Sequence, residues 1–165
     1  MVRMTVAHLG VERSTNTPVV VLHEVGGSRS LQIWIGASEA NAIAVELRGE
    51  HPSRPMTHDL LKQLLRGLGG ELRRVSVTAL RDNTYYAELL VARGDHLFVI
   101  DARPSDSIAL ALRFDAPIFV SEDLLRDEGD GGPSGPAADD PTAGAEALKR
   151  FLSKLDPEDL GRFQP

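Results

Sequence analysis

Asp101, Arg103 and Asp106 fall within six residues, in DARPSDSIALALR (101–113), where an apolar run ends and a helix begins. A carboxylate at a strand's end and another at a helix start are groups that hold Mg²⁺ or Mn²⁺, directly or through water. A guanidinium between them can grip a phosphate by two parallel hydrogen bonds. The N–H groups that open a helix add to that affinity. Asp101, Arg103 and Asp106 are therefore candidate catalytic residues, with Asp101 and Asp106 as candidate ligands of Mg²⁺ or Mn²⁺. The plainer reading is that Asp106 favours the helix dipole while Asp101 and Arg103 pair to set the corner. A second corner, His58-Asp59, follows Thr57 at another helix start. Adjacent His-Asp pairs serve metal phosphohydrolases, so His58 and Asp59 join the catalytic candidates. Their plainer reading is a dipole-complementing acid beside a polar first-turn residue.

Other chemistries are excluded by residue type or spacing. The chain of 165 residues has no cysteine, which removes disulfides, thiolate nucleophiles and Cys-based zinc sites. There is no Asp-x-Asp pair, no Asp-x-x-x-Lys signature and no His-x-His. Any site must be assembled in three dimensions from separated blocks.

The elements that would carry out this assembly are legible in the pattern. Alternation predicts strands over 2–12, 19–25, 31–35, 72–81, 84–92 and 96–101, with turns at STNTP, GGS, RDNT and RGD. GGSRS (26–30) lacks the strand-to-helix context of a phosphate loop and reads as a hairpin turn. Ser38 is placed to cap a helix ending at Arg48, and Thr57 a second helix. In that second helix Leu60, Leu61, Leu64, Leu65 and Leu68 form one apolar stripe, with Lys62, Gln63 and Arg66 outside it. Gly69-Gly70 ends it. A helix over 104–113, a short strand PIFVS and a short helix EDLLRD capped by Ser121 follow. Glu39 and Glu46 lie on the first helix, Glu39 as a structural first-turn acid. Arg81-Asp82 reads as turn chemistry, Trp34 as core or interface, and Tyr85-Tyr86 as one ring inward and one outward.

A shift of 65 residues lays IGASEANAIAVELR (35–48) on IDARPSDSIALALR (100–113), with six identities that include Ile43/Ile108 and Arg48/Arg113. Each copy follows three strands. The expected architecture is α+β: a mixed β-sheet built from two β-β-β-α units by internal duplication, plus a C-terminal helical tail. The first copy has Gly36, Ser38 and Asn41 where the second has Asp101, Arg103 and Asp106. The helix can start without the charges, which points them toward function or a partner contact.

The blocks LQIWIGASEANAIA (31–44), RPMTHDLLKQLLRGLGGELRRVSVTALRDNTYYAELLV (54–91) and IDARPSDSIALALRFDAPIFVSEDLL (100–125) resemble the bifunctional nuclease domain family in order and spacing. The resemblance covers about residues 1–127. It implies an α+β domain with a mixed sheet, self-association as a homodimer or higher oligomer, and nuclease activity on RNA and DNA. The tail ends FLSKLDPEDLGRFQP and does not show the helical repair motif that some members carry.

Residues 128–141 read as a Gly/Pro/Asp linker and 142–165 as an amphipathic tail, with Leu148, Phe151, Leu152 and Leu155 on one side. The net charge is −6. Residues 1–127 hold 14 Lys and Arg against 16 Asp and Glu, and residues 128–165 hold 4 against 8. No basic stripe marks nucleic-acid binding. The opening residues lack a signal-peptide apolar core and no stretch is long enough to span a bilayer, so the expectation is a cytoplasmic protein off the membrane. Uncovered apolar edges and the tail predict at least a dimer. Two function classes stand: a metal-dependent nuclease with little sequence preference, or a non-catalytic self-associating scaffold or anion- or small-ligand-binding regulatory module.

Overall fold

In the computed structural model, residues 1–12, 15–50 and 52–126 are described, with Lys149, Arg150 and Ser153. The linker expected over 128–141 lies outside the described residues, as does the tail over 142–165 apart from those three positions. Strands β1 (Val2–Glu12), β2 (Thr17–Glu24) and β3 (Ser30–Trp34) precede helices α1 (Ala37–Leu47) and α2 (Thr57–Gly67). Strands β4 (Glu71–Arg81), β5 (Thr84–Arg93) and β6 (His96–Ala102) precede helix α3 (Pro104–Phe114), strand β7 (Ile118–Val120) and a short 3-10 turn over Glu122–Leu124.

The strands form one sheet in the order β3-β2-β1-β7-β4-β5-β6. Each set of three is an antiparallel meander. β7 lies between the meanders, antiparallel to β1 and parallel to β4, so the fold is α+β with a mixed sheet. The meanders thus run in opposite directions on either side of β7. The β4–β5 hairpin turns on Asp82 and Asn83, both in the left-handed region (φ 47° and 59°), the conformation a tight two-residue hairpin demands and short polar residues tolerate. From β6 at one edge, α3 carries the chain back over β5 and β4 to β7. No helix among the described residues is long and apolar enough to cross a membrane.

The core is the seam between helices and sheet. Ile43 of α1 and Ile108 of α3, identical in the 65-residue shift, are both fully buried among Val20, Leu22, Val75 and Val77. Arg48 and Arg113, also identical, part company: Arg48 is exposed and pairs with Glu50 at 2.6 Å, while Arg113 is 2% exposed.

Three local expectations are corrected. Ser38 is inside α1 and Gly36 is its N-cap; a Cβ on Gly36 would meet the far end of the Glu39 side chain, which would have to swing aside. Thr57 is the first residue of α2 and Met56 its N-cap, because Asp59 Oδ2 accepts the Met56 backbone N–H at 2.9 Å and closes the first turn from inside the helix. Of the two readings of Trp34, core or interface, the first does not hold: it stands 39% exposed at the β3 edge and donates Nε1–H to Glu12 at 2.9 Å. The tyrosines follow the alternation, Tyr85 packing against the core and Tyr86 outward under Arg81.

The leucine stripe of α2 is also turned around. His58 is the helix's buried residue, while Leu60, Leu61 and Leu64 are exposed. Lys62, expected on the outer side, reaches inward to the carbonyl of Arg113 and the ring of Phe114. His58 and Lys62 of α2 meet α3; of the leucine stripe Leu65 packs against the core, while Leu60, Leu61 and Leu64 stay exposed.

Candidate active site at three helix starts

Helices α1, α2 and α3 each carry an acid at the third helical position: Glu39, Asp59 and Asp106. An acid there complements the positive end of the helix dipole. Arg103 joins Glu39 to Asp106, His58 also meets Asp106, and Arg113 holds Asp59 separately.

The outer arm runs through Arg103, the N-cap of α3. Its carbonyl is fixed by the N–H and hydroxyl of Ser107, at 3.0 and 2.9 Å, so its side chain projects from a rigid corner. Arg103 Nε donates to Asp106 Oδ2 at 2.8 Å, and its Nη1 meets Glu39 Oε1 at 2.9 Å. The Arg103 side chain is still 66% exposed. The other oxygen of Asp106 lies 3.0 Å from His58 Nε2. The His58 contact, against the cost of burial and with the help of Arg103, pulls the Asp106 carboxyl down to about 2. An ionised carboxylate only accepts hydrogen bonds. The Nε2 of His58 therefore carries the proton and Nδ1 is the basic nitrogen. The same contacts raise the Arg103 guanidinium above its ordinary range, with the Asp106 hydrogen bond the largest cause.

The inner arm runs through Arg113, in the last turn of α3. Its Nε donates to Asp59 Oδ1 at 2.6 Å, and its Nη1 to the carbonyls of Ala42 and Ala109 at 3.1 and 3.0 Å. Glu46 of α1 stands 3.9 Å away. Burial pushes Asp59 up, but Arg113 and the Met56 N–H outweigh it and hold the carboxyl below its usual range. One buried guanidinium thus ties α1, α2 and α3 together. Its Nη2 has no hydrogen-bond partner among the described residues.

Of the five residues singled out by sequence, Arg103, Asp106 and His58 meet in the outer arm. Asp59 turns the other way, into the inner arm, so His58-Asp59 is not a joint site. Asp101 is exposed on β6, opposite Glu88 of β5, and makes no hydrogen bond or ion pair among the described residues. It does not pair with Arg103. Both Asp106 oxygens are engaged, and no group of three His, Asp or Glu side chains suited to a metal occurs among the described residues. Glu39, Glu46 and Arg113 are members that spacing did not single out. The available signal was the acid at the third position of three successive helices.

This arrangement can do acid–base chemistry. A carboxylate that fixes one imidazole nitrogen orients the ring and leaves the other as the acceptor of a proton. An exposed guanidinium beside it is suited to a phosphate.

Comparison with known proteins identifies relatives of the chain. Residues 20–130 match the family model described as a bifunctional nuclease domain. An uncharacterized protein of Mycobacterium tuberculosis (strain H37Rv) is 41% identical over 97% of this chain and 98% of its own length. Bifunctional nuclease 2 of Arabidopsis thaliana is 35% identical over 69% of this chain, and that of Oryza sativa subsp. japonica 29% over 72%. These matches cover 36% and 38% of the plant proteins.

Proposed function

Because the chain belongs to the bifunctional nuclease domain family, we propose that it hydrolyses phosphodiester bonds of RNA and DNA at the corner where α1, α2 and α3 begin. The observation that carries this reading is the 3.0 Å contact of His58 Nε2 with Asp106 Oδ1, with Arg103 on the second oxygen. His58 Nδ1 takes the proton of the attacking oxygen as the new P–O bond forms. The bond to the leaving oxygen breaks, and that oxygen gains a proton from solvent. Asp106 stabilises the imidazolium that results. The free edge of Arg103 draws on the nonbridging oxygens, whose charge grows on the way to the transition state. Water serves as the attacking group on either nucleic acid, and the 2′-hydroxyl is available on RNA, so one base suits both substrates.

The test is cleavage of labelled single-stranded RNA and DNA by highly purified protein with Mg²⁺, with Mn²⁺ and with EDTA. His58→Ala, Arg103→Ala and Asp101→Ala variants, shown to be folded, run beside the native chain. The expected result is cleavage that survives EDTA, is lost with His58 or Arg103, and is unchanged with Asp101. Loss with EDTA and in Asp101→Ala would move the chemistry to a metal at β6. Folded protein that binds an oligonucleotide through Arg103 without cutting it would establish the regulatory module instead.

A further inference from the structure

We propose that the sheet face turned away from α1 and α3 is a stacking platform for single-stranded nucleic acid, on which Tyr86 and Phe119 take bases. The proposal rests on the nuclease reading above and names the form of substrate that the chain would take. Met4, Val75, Ala87 and Ile118 point into the core, so their neighbours Arg3, Arg74, Tyr86 and Phe119 stand on the opposite face. The register sets Arg3 of β1 against Phe119 of β7, and Phe119 against Ser76 of β4. Tyr86 of β5 lies opposite Ala79 of β4. Each ring has a guanidinium over it. Arg74 is 5.9 Å from the centroid of Phe119, and Arg81 is 5.5 Å from that of Tyr86. Arg3, Arg74 and Arg81 are exposed, as is Tyr86, while Phe119 is half-buried. Strand spacing and rise anchor the two rings roughly 12 Å apart.

Every base offers a π-face to a ring or a guanidinium, and each arginine adds attraction for the phosphates. These groups come from four strands and are scattered in the sequence, so no basic run announces them. Glu88 and Asp101 share the face and stand opposite each other on β5 and β6, so charge alone does not hold a polyanion here. Stacking has to supply the binding. A duplex keeps its bases stacked on one another, whereas a single strand presents them. The platform also leads to the catalytic corner. Ala87 pairs with Ala102, Tyr86 precedes the one and Arg103 follows the other. The Tyr86 stack and the start of α3 therefore lie side by side at one end of the sheet. A strand stacked on Tyr86 can turn over that end and reach Arg103 and His58.

The test is fluorescence anisotropy of a labelled oligothymidylate with the full chain, for the native protein, Tyr86→Leu, Tyr86→Phe and Phe119→Leu. Each is also measured in the His58→Ala background, where the strand stays whole. Leucine suits both strands, so the native circular dichroism should be kept. Each leucine variant should bind about tenfold or more weakly, the usual loss for one stacked base. Tyr86→Phe keeps the ring and should bind like the native chain. An abasic strand of equal length has the phosphates without the bases. It should bind the native chain and Tyr86→Leu equally. A leucine variant that binds the oligothymidylate as tightly as the native chain, or that weakens for the abasic strand just as much, would overturn the platform. Binding is read apart from cleavage. A chain that holds single strands through Tyr86 and cuts none keeps the platform and loses the nuclease reading; one that cuts them while Tyr86→Leu binds as before does the reverse.

Discussion

The two arginines of α3 invite opposite predictions. Arg103 is two-thirds exposed, and such ion pairs contribute about 0–1 kcal/mol. Arg103→Ala should therefore barely shift the urea unfolding midpoint, while kcat falls by roughly 10²–10³, the usual cost of losing one group that stabilises developing charge. Arg113 is 2% exposed with Asp59 as its partner. Breaking a buried pair costs about 3–5 kcal/mol; Arg113 is buried but Asp59 is 27% exposed, so the loss here falls toward the lower end of that range, and it includes the carbonyls of Ala42 and Ala109 that lose their donor. Arg113→Met should thus unfold at distinctly lower urea, and the added change Asp59→Asn should restore part of the loss. Equal effects of the two arginine variants on stability would refute this division. At Asp106, asparagine keeps the shape but not the charge that fixes the His58 tautomer. Asp106→Asn should reduce kcat by about 10²-fold or more, with both variants of His58 and Asp106 combined no worse than His58→Ala alone.

The helix starts make stability depend on acid. The Asp106 carboxyl lies at about 2 in the folded chain against an ordinary 3.8, and Asp59 is also held low. A depressed carboxyl contributes stability that is fully present above its unfolded value and is lost as pH falls through the folded one. Native stability should therefore decline from about pH 4 toward pH 2. The Asp106→Asn variant should start lower at pH 7 and decline less over that window; parallel curves would argue that His58 and Arg103 do not hold this carboxylate. Much at this scale was legible in the sequence. Alternation and turn residues placed the strands, since each half-buried strand repeats every two residues. The caps were misplaced, because Ser38 and Thr57 have the usual chemistry while Glu39 and Asp59 act from the third position. Periodicity showed that α2 has an apolar side but not which side meets the body; that depends on Arg113 and Phe114, 51 and more residues away in the chain. Asp101 looked like part of a cluster with Arg103 and Asp106 because it is near them in sequence. The β5–β6 register instead sets it opposite Glu88, and no local pattern carries that information.

For the whole molecule, charge separates the body from the tail. Every core residue among the described positions lies between Met4 and Val120, with Leu124 and Leu125 packed against the edge of the core. Residues 1–127 are nearly neutral, 14 Lys and Arg against 16 Asp and Glu, and residues 128–165 carry the other four net negative charges. A polyanionic substrate is repelled by the tail's field, which screens over about 10 Å at 0.1 M salt. A chain ending at Asp127 should keep its melting temperature within about 2–4 °C, as expected when no more than about 1 kcal/mol is lost. It should also lower KM for oligonucleotides severalfold at low salt, with kcat unchanged. The KM difference should shrink as salt rises, because the field is screened while contacts at Arg103 are short-range. A large fall in melting temperature would place the tail in the folded core. A KM difference that persists in high salt would mean that residues 128–165 obstruct the site by contact rather than by charge.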